Sequence, residues 1–232
     1  EGVERYQSHG FLSRDLKGKL RFGFVHGNWA LDNSDPRGIN CGVDRELEVL
    51  RAAGCYADFT MPSAPHPTQT KMVNSLYYAK ECDAPKSHDT GIHAEVGKTA
   101  HLRDEMDQLL CVQGPLAANM KYRKWGVFPR LENAELSGAN PPSIERFHLW
   151  LRQGICVRSR PNWVFIKLHT HAALERNMPA FFGDPAYQFH ESLAHQLPEG
   201  SRLHYVSARE LVNLIHASED GKQGNPNDYR DY

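Results

Sequence analysis

A helical pattern held between two strand-like runs constrains this 232-residue chain more than any other feature. Val43, Leu47 and Leu50 recur at helical spacing over residues 43–53, which predicts one apolar face. Gly54 follows at the position where a left-handed residue ends helices. Before the helix runs Lys19-Leu20-Arg21-Phe22-Gly23-Phe24-Val25-His26, and after it Cys55-Tyr56-Ala57-Asp58-Phe59-Thr60-Met61-Pro62. Both are apolar, β-prone and bounded by Gly or Pro, so both read as strands. Strand, helix and strand in this order predict parallel pairing through a right-handed crossover.

The alternation continues, less regularly, to the C-terminus. Strands are expected at 22–25, 56–59, 110–113, 164–168 and 203–206. Residues 68–80 read as a helix capped by Thr68, with Met72, Leu76 and Ala79 on one side. Residues 80–101 are polar and read as a long excursion; 129–136 offer Arg130, Glu132 and Glu135 to a polar site or form a solvated loop, the plainer reading for Glu135. Pro142 and Ser143 suit the entry of a helix to Gln153, and residues 185–196 form another with Phe189 and Leu193 inward. Ser207 with Glu210 three residues on is a capping box for a last helix.

Five strands separated mostly by helices predict an α/β fold, a partial or distorted β/α barrel of parallel strands. A closed barrel of this kind has about eight strands, so the others are expected upstream. The start at Glu1 rather than Met fits that expectation. One β/α-barrel domain is therefore expected over 1–232, N-terminally incomplete, with a polar tail at 221–232 and an exposed apolar edge near its first strand.

Composition removes several classes. A formal net charge of -1 argues against a dedicated nucleic-acid binder. No run approaches the ~18–20 apolar residues of a membrane span, and no signal-peptide pattern opens the chain. Five scattered cysteines with no C-x-x-C read as reduced thiols of a cytoplasmic protein. Gly91-Ile92-His93-Ala94-Glu95-Val96-Gly97-Lys98-Thr99 imitates a phosphate-binding loop but has five residues between its glycines, where the motif needs four, and no strand before it.

Chemistry gathers at three strand ends. Trp163-Val164-Phe165-Ile166-Lys167-Leu168-His169-Thr170-His171 is an apolar run ending in two histidines that share one face of a strand. Imidazoles there suit acid–base work or metal ligation; loop-carbonyl contacts are the plainer use. His26 ends the first strand and opens a polar run with Asn28, Trp29 and Asp32. Trp29 offers a flat wall for a sugar ring, or core packing. Asp58 ends the second strand as a loop cap or a catalytic carboxylate. His190 and His195 are five apart on a helix and share no face, so they form no helical metal pair.

The runs Phe24-Val25-His26-Gly27-Asn28-Trp29-Ala30-Leu31-Asp32-Asn33-Ser34, Gly54-Cys55-Tyr56-Ala57-Asp58-Phe59-Thr60 and Lys167-Leu168-His169-Thr170-His171 resemble a bacterial branch of the polysaccharide-deacetylase (NodB-like) superfamily. The resemblance implies a distorted β/α glycoside hydrolase/deacetylase barrel that removes acetyl groups from a glycan. It implies a divalent metal, zinc above all, held by an Asp and two His. The family's early Asp-Asp and His-x-x-x-His motifs are absent here, so those ligands are expected upstream. It also implies a late histidine acid, His169 or His171, with Asp58 as its orienting carboxylate. Lys167 stands where the family's Leu-x-His motif has leucine. Two other classes stay open. A glycosidase would pair Asp32 with Asp58 at about 5–5.5 Å or 6.5–9.5 Å. A non-catalytic glycan-binding module would use Trp29, Tyr56 and Asn28.

Overall fold

Alternation of side chains across one sheet decides how the layers stack. The computed structural model describes residues 2–40, 42–124 and 127–232. In chain order its elements are α1 (Gly2–Ser8), β1 (Ser13–Arg14), β2 (Leu20–Phe24), α2 (Glu46–Ala53), β3 (Cys55–Asp58), β4 (Leu76–Lys80), β5 (Ile92–His93), β6 (Gln108–Val112), β7 (Ala117–Lys124) and β8 (Phe128–Glu132). The helices α3 (Ile144–Arg152), α4 (Met178–Phe182), α5 (Asp184–Gln196) and α6 (Ala208–Glu219) complete the chain. A six-stranded sheet runs in the order β1-β2-β3-β6-β4-β5, and β7 pairs with β8 in a separate antiparallel hairpin.

The pairs β2–β3 and β3–β6 are parallel, whereas β1, β4 and β5 join their neighbours antiparallel. Cys55, Tyr77, Ala79, Leu109 and Cys111 face Leu47 and Leu50 of α2. Ala57, Leu76, Tyr78, Leu110 and Val112 face the other way, onto Ile155, Val157, Trp163, Phe165 and the apolar stripe of α6. This period-two split buries both faces of the central strands.

Three of the five expected strands lie in this sheet as parallel neighbours. The other two do not, and the sheet is open rather than closed into a barrel. Residues 164–168 have no regular secondary structure and no ladder: Phe165 N–H bonds to Ile155 O (2.8 Å), and His169 makes an isolated bridge with Glu135. Trp163 and Phe165 pack on the main core while Ile166 and Leu168 pack against a second cluster around Trp150 and Phe189. A pattern of two buried faces therefore reported packing, not sheet membership. Residues 203–206 likewise pair with nothing in the sheet.

The helix expected over 68–80 is also absent, and its second half is β4. Leu76 and Ala79 fit helical spacing, but Tyr77 and Tyr78 are aromatic residues that favour a pleated, two-sided site. Asn74 has a φ of 51° and its side chain brackets Leu116, accepting from its N–H and donating to its carbonyl, which ends any helix there. The loop expected over 129–136 is partly β8. Its Glu132 forms a buried pair with Arg146 of α3 (2.8 Å) and also accepts Trp150 Nε1–H (3.0 Å). Burial pushes the Glu132 carboxyl up, but Arg146 and Trp150 outweigh it and hold the pKa below the ordinary value.

The expected caps at Ser143 and Ser207 both form. Ser143 accepts Arg146 N–H, and Ser207 and Glu210 form the reciprocal box. Cys55, Cys82, Cys111 and Cys156 are free thiols, two of them buried; Cys41 lies outside the described residues. In the phosphate-loop lookalike, Lys98 pairs with Glu95 and Thr99 donates to Glu219, so both residues are occupied structurally. Among the described residues no helix is long and apolar enough to cross a membrane.

Gly54 is the tightest joint between helix and sheet. Its φ is 102°, and a Cβ there would lie 2.3 Å from the carbonyl oxygen of Leu20. Gly54→Ala is expected to lower stability by about 2 kcal/mol or more, since both the dihedral and the contact oppose a side chain. A urea midpoint shifted by less than the equivalent of about 0.5 kcal/mol would show that this joint relaxes freely.

Candidate functional site

Three parallel strands end side by side: Phe24 of β2 and Cys111 of β6 are the register partners of Asp58. Ligands of open α/β sheets bind beyond the carboxyl ends of such strands. Asp58 is buried at the centre of this edge. Its Oδ1 accepts the hydroxyl of Thr60 (2.6 Å) and its Oδ2 the Thr60 N–H (3.1 Å). The same hydroxyl oxygen accepts His26 N–H (2.9 Å), so Thr60 ties the end of β3 to the segment after β2.

His26 is itself locked. Its Nδ1 accepts N–H bonds from Asn28 and Ala30, both 3.2 Å, which assigns the neutral-ring proton to Nε2. This turn carries Trp29 in the left-handed region, with φ at 59°. The Trp29 ring meets His66 at 5.6 Å, and Arg37 forks onto Asp35 beside it.

The residue that completes the edge is Lys167. Its Nζ donates to the carbonyls of Phe59 (2.5 Å) and Met61 (2.6 Å), directly after Asp58. Gly114 gives it room, because a Cβ there would lie 2.7 Å from Lys167 O. Burial lowers the Lys167 pKa, and the Asp58 charge counters that. Burial raises the Asp58 pKa, against its two Thr60 bonds and the nearby ammonium. Each charge partly offsets the burial of the other, without a direct ion pair between them among the described residues.

The late histidines divide. His169 lies mostly inside, with Nδ1 cut off from solvent and without a hydrogen-bond partner. Burial, reinforced by Lys167, His171 and Arg146, pushes its pKa down to about 4. His171 is exposed, and its carbonyl accepts from Asn177 and Leu174. No hydrogen bond among the described residues joins either histidine to Asp58. The structure thus brings His26 and Asp58 together through Thr60, and reaches them from the late segment with Lys167, two residues before His169.

Other expected site residues stand elsewhere. Asp32 is fully buried; its Oδ2 accepts Ser87 N–H (2.6 Å) and its Oδ1 accepts Glu46 N–H (3.3 Å). It serves the start of α2 rather than an open cleft. Tyr56 packs against the main core, edge to face with Phe59. Asn28 is exposed. Among the described residues no group of three His, Cys, Asp or Glu side chains is arranged to hold a metal ion. Lys167 and Thr60 escaped sequence reasoning. A lysine inside an otherwise apolar run, in step with His169 and His171, was the available signal.

The chain matches no family model, no curated protein and no solved structure.

The buried histidines make the fold acid-sensitive. His88 and His169 have folded pKa values of about 4, and His216 about 3, against an ordinary 6.5. Their contribution is present above pH 6.5 and is lost as pH falls towards 4, because only the unfolded chain takes up protons there. Glu46 and Asp58, both raised to about 6 by burial, work the other way: their contributions are present below their ordinary values and lost as pH rises through 6. The histidines dominate in number, so stability should fall by several kcal/mol between pH 7 and 4.5, up to about 3 per histidine. Urea midpoints across that range check this, and His169→Gln should flatten the decline.

Proposed function

We propose that the chain belongs to a carbohydrate-active hydrolase that removes acetyl groups from a polysaccharide. The observation that carries this reading is the meeting of His26, Asp58 and Lys167 beyond the ends of adjacent parallel strands. These residues come from the three runs whose sequence resembles polysaccharide deacetylases. In this reading the open sheet is part of a distorted β/α barrel. The exposed edge of Trp29, backed by His66, is the wall for a sugar ring.

Deacetylation needs attack by water on the acetyl carbonyl, and then a proton for the departing amine or alkoxide. In this reading a late histidine, His169 or His171, protonates the leaving atom, and the proton it gives is replaced by the one that the attacking water releases. Lys167 is a positioning residue that holds the Phe59–Met61 turn, and with it Asp58, at the strand end. A divalent metal would lower the water pKa and polarise the carbonyl. The described residues do not fit one, so no step here passes through it. The glycosidase alternative loses support because both Asp32 oxygens are engaged inside the protein. A non-catalytic glycan-binding role is the second reading, favoured by the Trp29–His66 wall.

Acetate release from an acetylated xylan and from an N-acetylated chitooligosaccharide tests both. His169→Ala is expected to cut release by about 10²-fold or more, with an unchanged circular dichroism spectrum. A change below about threefold, together with glycan binding lost in Trp29→Ala, would replace the hydrolase by the binding module.

A further inference from the structure

The β7–β8 hairpin stands outside the six-stranded sheet, and its outer part is wetted all round. Every described side chain from Met120 to Leu131 is exposed, with Val127 at 68% and Phe128 at 61%. Met120, Tyr122 and Leu131 add further apolar surface. Successive residues of β8 point to opposite faces, so Phe128 and Leu131 lie on different sides of the arm. No Asp or Glu occurs in residues 108–131, whereas Lys121, Arg123, Lys124 and Arg130 all do, in a chain of net charge -1. Lys121 is paired with Glu145 of α3 (2.7 Å). Arg123 and Arg130 appear in no ion pair among the described residues.

We infer that this arm is a membrane-interface anchor, which sets its apolar side chains among the headgroups of a bilayer containing anionic lipid. Three features choose this occupant. The exposed apolar side chains lie on both sides of the arm, and a headgroup layer surrounds both. The positive arm on a nearly neutral protein complements an anionic leaflet. Residues 120–131 contain no amide or carboxylate side chain to bond sugar hydroxyls, and beside the rings of Tyr122 and Phe128 the exposed apolar side chains of Met120, Val127 and Leu131 are not flat. The depth is limited to the interface. The outer edges of a two-stranded ribbon keep unpaired backbone groups that need water or headgroup oxygens and are excluded from hydrocarbon. Arg123 and Arg130 extend their stems along the apolar surface and keep their charges at the phosphates.

Cosedimentation of the full chain with vesicles of phosphatidylcholine alone, or with about 30 mol % phosphatidylglycerol, tests this anchor. Partitioning is expected to be at least tenfold stronger on the anionic vesicles and to fall in high salt. Arg123→Gln with Arg130→Gln should weaken it about 25-fold, roughly fivefold for each charge. Val127→Ser with Phe128→Ser should weaken it about tenfold or more, since both rest on buried apolar area. All four positions are exposed, and circular dichroism checks that the variants fold; the salt response of the unaltered chain tests the idea even if one does not. Equal binding to both vesicles, or indifference to both pairs of changes, overturns the anchor. So does a result in which the changes abolish self-association in sedimentation velocity, or binding to an acidic polysaccharide, while vesicle binding stays intact.

Discussion

The ammonium of Lys167 holds together two parts of the molecule that no sheet ladder joins. The segment 163–169 packs on the core without entering the sheet, so its backbone lacks the repeated bonds that would fix its register. Lys167 supplies two bonds to the turn after β3, across more than a hundred residues of sequence. The cost of burying that charge is met by carbonyl dipoles and by Asp58. Because the turn it holds follows Asp58 directly, and Asp58 binds Thr60 while Thr60 holds His26, these bonds together set the geometry of the strand-end edge.

The same device recurs away from that edge. At the start of α2, whose Arg45 cap residue makes no side-chain cap bond, Asp32 and Glu81 accept the N–H groups of Glu46 and Leu47 from a distance. Glu46 in turn accepts Asp32 N–H (2.7 Å). Arg146 carries five bonds to Glu132 and to the carbonyls of Glu135, Asn140 and Pro141, which joins the hairpin base to α3. Arg103 and Glu219 link α6 to the far side of the sheet, with Tyr78 donating to the same carboxylate. Buried charges here replace regular capping and ladder bonds where loops are long. Several acidic residues that look available for chemistry are consumed this way.

Local features carried much of the architecture. The β2–α2–β3 unit, Gly54, the Ser143 cap and the Ser207–Glu210 box all follow from interactions within a few residues of one another, so the sequence specifies them directly. The central strands of the sheet follow for the same reason: their continuous apolar runs need burial on both faces. The candidate site was legible only in part, as His26, Asp58 and His169, because each ends an apolar run and stands out by type.

What remained open was decided by partners distant in the chain. The run 163–168 satisfies every local criterion for a strand, yet it lies outside the sheet because both its faces are buried by packing rather than by neighbouring strands. Residues 76–80 fit a helix by spacing but become β4, because β6 and β5 flank them. Asp32 and Asp58 are the same residue type at comparable points in the chain. One is turned inward by the N–H groups of Ser87 and Glu46, the other toward Thr60 and Lys167. Pattern and composition determined the β2–α2–β3 unit, the caps of α3 and α6 and which residues carry reactive groups. Only the tertiary structure decided which of those groups meet, since their pairing depends on contacts that local spacing does not encode.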